Sequence, residues 1–171
     1  MSHLAPAMSC PAPNARSMAH LDAAEREQIL LDANINPRTG LATDYLNHFN
    51  EAIMLLEMIP DMPECADDFL EWHPLSYREH FAASNLKGRD LTISVYDSAN
   101  PTIRDKFDGI TAAMTSILTA VGDAMREAKS DKTRVTLAEQ AIGWVKPLVT
   151  HAGAVINGPS DEADVDSIMT Q

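Results

Sequence analysis

Between Leu41 and Ile59 the chain reads LATDYLNHFNEAIMLLEMI. Tyr45, Leu46, Phe49, Ala52, Ile53, Leu56 and Ile59 recur at spacings of three and four, which is one face of an α-helix. Thr39 or Thr43 offers a cap at its start, and Pro60 ends it. Met54, Leu55 and Met58 lie off that stripe, so the second half of the helix is apolar nearly all round. Such a helix is buried on every side or touches a second molecule. Met54, Leu55 and Met58 are therefore the candidate interface.

Two longer seams occupy the second half of the chain. Ile103, Phe107, Ile110, Met114, Ile117, Val121 and Ala124 alternate spacings of four and three. Val135, Ala138, Ile142, Val145, Val149, Ala152 and Ile156 alternate three and four. Asn100-Pro101 and Ser130-Asp131 are start signals for these helices. Asn157-Gly158-Pro159 stops the second, and Pro147 lies inside it, where a kink is expected. Two equal seams joined by a short loop predict an antiparallel helical hairpin with Ile117 in its central layer.

The remaining pattern is more broken. Ser76-Tyr77-Arg78-Glu79 has the spacing of a capping box, in which the Ser76 hydroxyl and the Glu79 carboxylate each accept the other residue's backbone N–H. It predicts a helix over Tyr77–Ser98 with Tyr77, Phe81, Ser84, Gly88, Leu91 and Val95 on one face. Residues 91–95 also alternate with period two, which would suit a strand. No partner strand exists elsewhere, so helix is preferred. Pro63 suits the first position of a short helix ending near Trp72, and His73-Pro74 closes it. Ser17 would cap a helix over residues 18–33, followed by a breaker-rich loop from Asn34 to Gly40. The expected fold is an all-α bundle with four principal helices, Leu41–Ile59, Tyr77–Ser98, Pro101–Ala128 and Asp131–Ile156. Residues 17–157 would form the single helical domain. A disordered arm over 1–16 and an acidic, disordered tail over 158–171 would flank it.

Composition sharpens this picture. With 171 residues the chain is long enough for one proper core. Aromatic residues make up only 5% against 45% hydrophobic, so Ala, Leu, Ile and Met must fill that core, which favours helices over a β-sandwich. A net charge of −12 argues against nucleic acid or an anionic membrane as partner. Cys10 and Cys65 lack metal or redox spacing. Neither a signal-peptide pattern nor a membrane-length apolar run is present, so a cytoplasmic location is expected.

The chemistry-bearing residues are few. Phosphate-loop, G-x-S-x-G and H-E-x-x-H signatures are absent, so no catalytic residue is assigned. His48 and Glu51 sit one turn apart, and His80 flanks the core face of a second helix. If the two helices are neighbours, His48, Glu51 and His80 could hold a divalent transition metal with an open position. The plainer alternative is a set of hydrogen-bonded polar groups at the rim of the core, with Asp44 and His48 paired. His73 and His151 carry no such pattern, and His3 and His20 lie in the weakly patterned N-terminal region. The expected function is that of an interaction protein, homodimeric or bound to another helical protein. A metal-binding bundle or metalloenzyme is the first alternative. A small-ligand bundle with an apolar interhelical pocket is the second.

Overall fold

A computed structural model describes residues 21–158. The expected arm over residues 1–16 and the tail beyond Gly158 lie outside these described residues. Among the described residues seven α-helices follow in order: α1 Ala23–Asp32, α2 Leu46–Met58, α3 Ala66–Glu71, α4 Tyr77–Ala83, α5 Arg89–Ser98, α6 Pro101–Glu127 and α7 Asp131–Asn157. Short 3-10 turns at Thr43–Tyr45 and Pro63–Cys65 lead into α2 and α3. Among the described residues the only β-type pairing is an isolated bridge between Ile35 and Ala42. The fold is all-α, and residues 91–95 are helical.

α6 and α7 form the frame. Thr102, Ile103 and Lys106 share a groove with His151, Ala154 and Val155, so the start of α6 lies beside the end of α7 and the two run antiparallel. Asn100 caps α6 through the backbone N–H of Thr102, and Ser130 caps α7 through that of Thr133. α7 continues through Pro147 to Asn157. α2 lies on α7 in the opposite direction: Leu46 approaches Gly153, and Glu57 near the other end pairs with Lys146.

The hairpin stripe is rotated from the expected one. The buried line on α6 is Phe107, Ile110, Thr111, Met114, Leu118, Val121, Gly122 and Met125. Ile103, Ile117 and Ala124 are only half-buried. Thr111 and Gly122 look unsuited to a seam, which hides this line from a reading that counts large apolar residues. Gly122 has a packing reason. The rings and branches of Phe69 and Leu70 on α3 come within 3.9 Å of where its Cβ would stand.

The expected helix over 77–98 is two helices. At Ser84 the backbone turns extended (φ −78°, ψ 156°), and its hydroxyl donates to the carbonyl of Phe81. Arg89 donates from Nη1 to the carbonyls of Ala82 and Ser84, so the broken end of α4 is satisfied. Gly88 begins α5 close against Ala33, where a Cβ would stand 3.3 Å from the alanine methyl. The capping box of Ser76 and Glu79 is present in full.

Two starts differ from the sequence reading. α1 is capped by Asp22, the expected cap Ser17 lies outside the described residues, and α2 has no side-chain cap. Thr39 instead donates its hydroxyl to the carbonyl of Ile156 at 2.6 Å, closing the end of α7. The 34–42 loop is thereby drawn into the body, with Ile35, Leu41 and Ala42 fully buried. Gly40 takes φ +73° within this loop, and a side chain there would meet Val95 at 3.2 Å.

Gly109 and Gly143 lie within α6 and α7, and a Cβ added at either would have nothing within 4 Å. Replacing both by alanine should raise stability by about 1–2 kcal/mol, because each glycine spends backbone entropy without a packing return. Chemical denaturation of the Gly109→Ala, Gly143→Ala double variant checks this, and an unchanged midpoint would contradict it.

Candidate functional site

The chemistry-bearing residues meet where α2, α4, α5 and α6 converge. Tyr45 is the hub. Its ring lies 5.3 Å from those of Phe49 and Tyr77, 5.5 Å from His80 and 6.1 Å from Phe107, centre to centre. Every aromatic residue of the chain except Phe69 and Trp144 joins this cluster. Tyr77 stacks on Tyr96 at 4.4 Å, and its hydroxyl accepts the backbone N–H of Ala42 at 3.0 Å. Tyr45 donates to the carbonyl of Leu75 at 2.6 Å, tying α2 to the segment that follows α3.

His48 is buried and serves the same segment. Its Nε2 accepts the backbone N–H of Leu75 at 2.9 Å, which places the proton of the neutral ring on Nδ1. Trp72 stacks on the imidazole at 4.6 Å and donates from Nε1 to the His48 carbonyl at 3.2 Å. Burial, together with nearby His80, pushes the His48 pKa down to about 4. His80 is half-buried with its ring 5.9 Å from that of His48. Burial lowers its pKa too, opposed by the carboxylate and carbonyl of Asp44. The ring of His48 is thus met by Leu75, and Asp44 acts on His80.

The proposed ligand trio is brought together only in part. His48 and His80 are neighbours. Glu51, one turn further along α2, remains exposed while the His48 ring is held by Trp72 and Leu75. Among the described residues no group of three His, Cys, Asp or Glu side chains stands ready to hold a metal ion. Cys65 is a free, buried thiol whose pKa is raised by burial and by Asp68 and Glu64, so it is held protonated.

Beside the cluster a cleft of about 530 Å³ opens between α4, α5 and α6. Tyr45, Tyr96, Glu79, Asp108 and Thr115 are among its lining residues. The Tyr96 hydroxyl donates to Asp108 at 2.6 Å, and the guanidinium groups of Arg78 and Arg104 lie 5.8 and 5.9 Å from the Tyr96 ring centre. Arg78 also pairs with Asp97. Burial raises the phenol pKa of Tyr45, Tyr77 and Tyr96, and for Tyr45 and Tyr96 the negative charge of Asp108 adds to it. Tyr96 and Asp108 escape a sequence reading because they sit on separate helices with no shared motif. The chain has only three tyrosines, and all three are buried.

The candidate interface divides. Leu55 is half-buried and packs on the core. Met54 is 54% exposed, Met58 36% and Met62 42%. Met54 and Met58 lie one turn apart on α2, while Met62 follows beyond its end: its N–H bonds to the carbonyl of Met58 at 2.9 Å, but its own backbone (φ −137°, ψ 84°) has left the helix. Met54 and Met58 form a ridge on the exposed side of α2, and the exposed Met62 sits at the end of that ridge, past the helix. A separate apolar groove of about 750 Å³, with Ile103, Val155 and Thr39 among its walls, runs between the outer ends of α6 and α7.

No protein-family model, curated protein or solved structure matches this chain. Among the described residues no helix is long and apolar enough to cross a membrane.

Proposed function

We propose that this chain is a helical binding module that docks a protein partner on the outer ridge of α2. The observation that carries this reading is the pair Met54 and Met58 on the outer side of an otherwise well-packed helix, with Met62 just beyond its end, all three open to solvent. Methionine is flexible and polarizable, and it suits a surface that must mould itself to another chain. Contiguous exposed apolar side chains on a folded domain mark contact sites more often than accidents. The aromatic–histidine cluster behind α2 serves as the rigid support. Among the described residues no buried side-chain N or O atom lacks a hydrogen-bond partner, and the bonds of Tyr45, His48 and Trp72 hold α2 in place.

A photo-crosslinking residue placed at Met54 in the cell tests this. A discrete protein adduct is expected from position 54 and not from the exposed position Glu139 on α7. Equal or absent labelling from both positions would reject the docking reading. A second reading is supported by the apolar groove between the ends of α6 and α7, which has the size of a small-ligand site. A rise in melting temperature with long-chain aliphatic ligands, abolished by Val155→Asp, would favour it.

A further inference from the structure

We infer that the partner taken up by the α2 ridge is a cationic amphipathic helix, an identification that rests on the docking reading above. Between Thr39 and Tyr77 the chain carries eight Asp and Glu and neither Lys nor Arg, although it has 13 Lys and Arg in all. Glu51, Glu57 and Asp61 alternate along α2 and its end with Met54, Met58 and Met62, and all three carboxylates are exposed. Glu64, Asp67, Asp68 and Glu71 extend the same sign across the following turn and α3. Among the described residues a single ion pair answers this stretch, from Lys146 of α7 to Glu57. Arg126 of α6 reaches the carbonyl of Leu70 but is paired with Asp123.

An apolar ridge set in one sign of charge selects its occupant. Met54 and Met58 are one helical turn apart, about 6 Å, which matches the i and i+4 side chains of a facing helix, and Met62 beyond the end of α2 extends the apolar surface. Lysine or arginine on the flanks of that helix would meet Glu51 and Asp61. A second copy of this chain would do the opposite. A symmetric contact sets each patch against itself, so these carboxylates would face their own copies without counter-charge. Nucleic acid and anionic membrane are repelled by the same field. The favoured geometry is an apolar seam for affinity and a charged border for orientation and rate.

The test uses the full-length protein and a fluorescein-labelled 18-residue helix built from leucine and lysine with one apolar face. Two controls accompany it: the same composition scrambled so that no apolar face forms, and a charge-inverted helix of leucine and glutamate. At physiological salt the leucine–lysine helix should bind at least ten-fold tighter than the scramble, and the charge-inverted helix should not bind. The Met54→Gln, Met58→Gln, Met62→Gln variant should weaken binding ten-fold or more with unchanged circular dichroism. Glu51→Gln with Asp61→Asn should weaken it and flatten its salt dependence, whereas Asp131→Asn with Glu139→Gln should leave it unchanged.

Equal binding of the scramble, or equal loss from the distant pair, would reduce the effect to unspecific charge attraction and overturn the proposal. Indifference to the methionine changes would also overturn it. A wild type that sediments as a dimer, split by those changes, would assign the ridge to a second copy instead. Failure of every peptide together with a position-54 adduct would reject the cationic helix and leave the docking reading standing. Failure of both would remove the docking reading itself.

Discussion

Leu118→Asp is expected to abolish cooperative folding, while Ile117→Asp next to it leaves a folded, weakened protein. Leu118 is 1% exposed on the stripe of α6 that the bundle buries. A carboxylate there loses its water and finds no counter-charge, a cost above about 4 kcal/mol and comparable to the whole stability of an ordinary domain. Ile117 is half-buried, and its position lets a charged replacement lean toward solvent. Its loss should amount to about 1–2 kcal/mol. Leu118→Ala supplies a milder check at about 2–5 kcal/mol, from lost burial and the cavity left behind. Circular dichroism melts of the three variants decide the matter. A Leu118→Asp protein with a near-native melt, or an Ile117→Asp protein without one, would mean that the buried side of α6 is not the one described.

The second large effect is acid sensitivity centred on His48. The unfolded imidazole takes up a proton near pH 6.5, but in the folded protein burial and His80 delay this until about pH 4. Between those values the unfolded state binds more protons, so stability falls as the pH drops through that window. The contribution is complete above pH 6.5 and gone below about pH 4. Its size is about 2 kcal/mol once partial solvent access to the rim of the site is allowed for. His80 acts in the same direction.

Protonation would also strike a contact. Nε2 accepts the N–H of Leu75, and a protonated ring would present a donor to that donor. Release of the 72–75 segment should therefore accompany acid loss, seen as a change in Trp72 fluorescence. In His48→Gln the midpoint of urea unfolding should lie lower at pH 7.5 and vary less between pH 7 and 4.5. A variant that keeps the full wild-type pH slope would place the sensitivity elsewhere.

These predictions mark how far local pattern carries. The capping box at Ser76, the caps at Asn100 and Ser130, and the extents of α6 and α7 are all legible in the sequence, because each depends on groups within a few residues. The all-α class follows from the same signals and from the lack of any strand partner. The acidic character of the stretch between Thr39 and Tyr77 is likewise plain from the residues alone.

Other features are set by packing between distant segments. The expected and the buried lines on α6 share Phe107, Ile110, Met114 and Val121, and part where Ile117 gives way to Leu118 and where Thr111 and Gly122 join the buried side. Which line turns inward depends on where α3 comes to rest, with Phe69 and Leu70 beside Gly122. The break at Ser84 likewise depends on partners outside the helix pattern, since Arg89 must satisfy the freed carbonyls and Gly88 must lie against Ala33. His48 and Glu51 are one turn apart in any helix. Only the chain returning through Trp72 and Leu75 claims the imidazole and leaves the carboxylate outside. The sorting of Leu55 to the core and of Met54, Met58 and Met62 to the surface has the same cause. A helix apolar on all sides has no preferred orientation of its own, and its neighbours choose which side is buried.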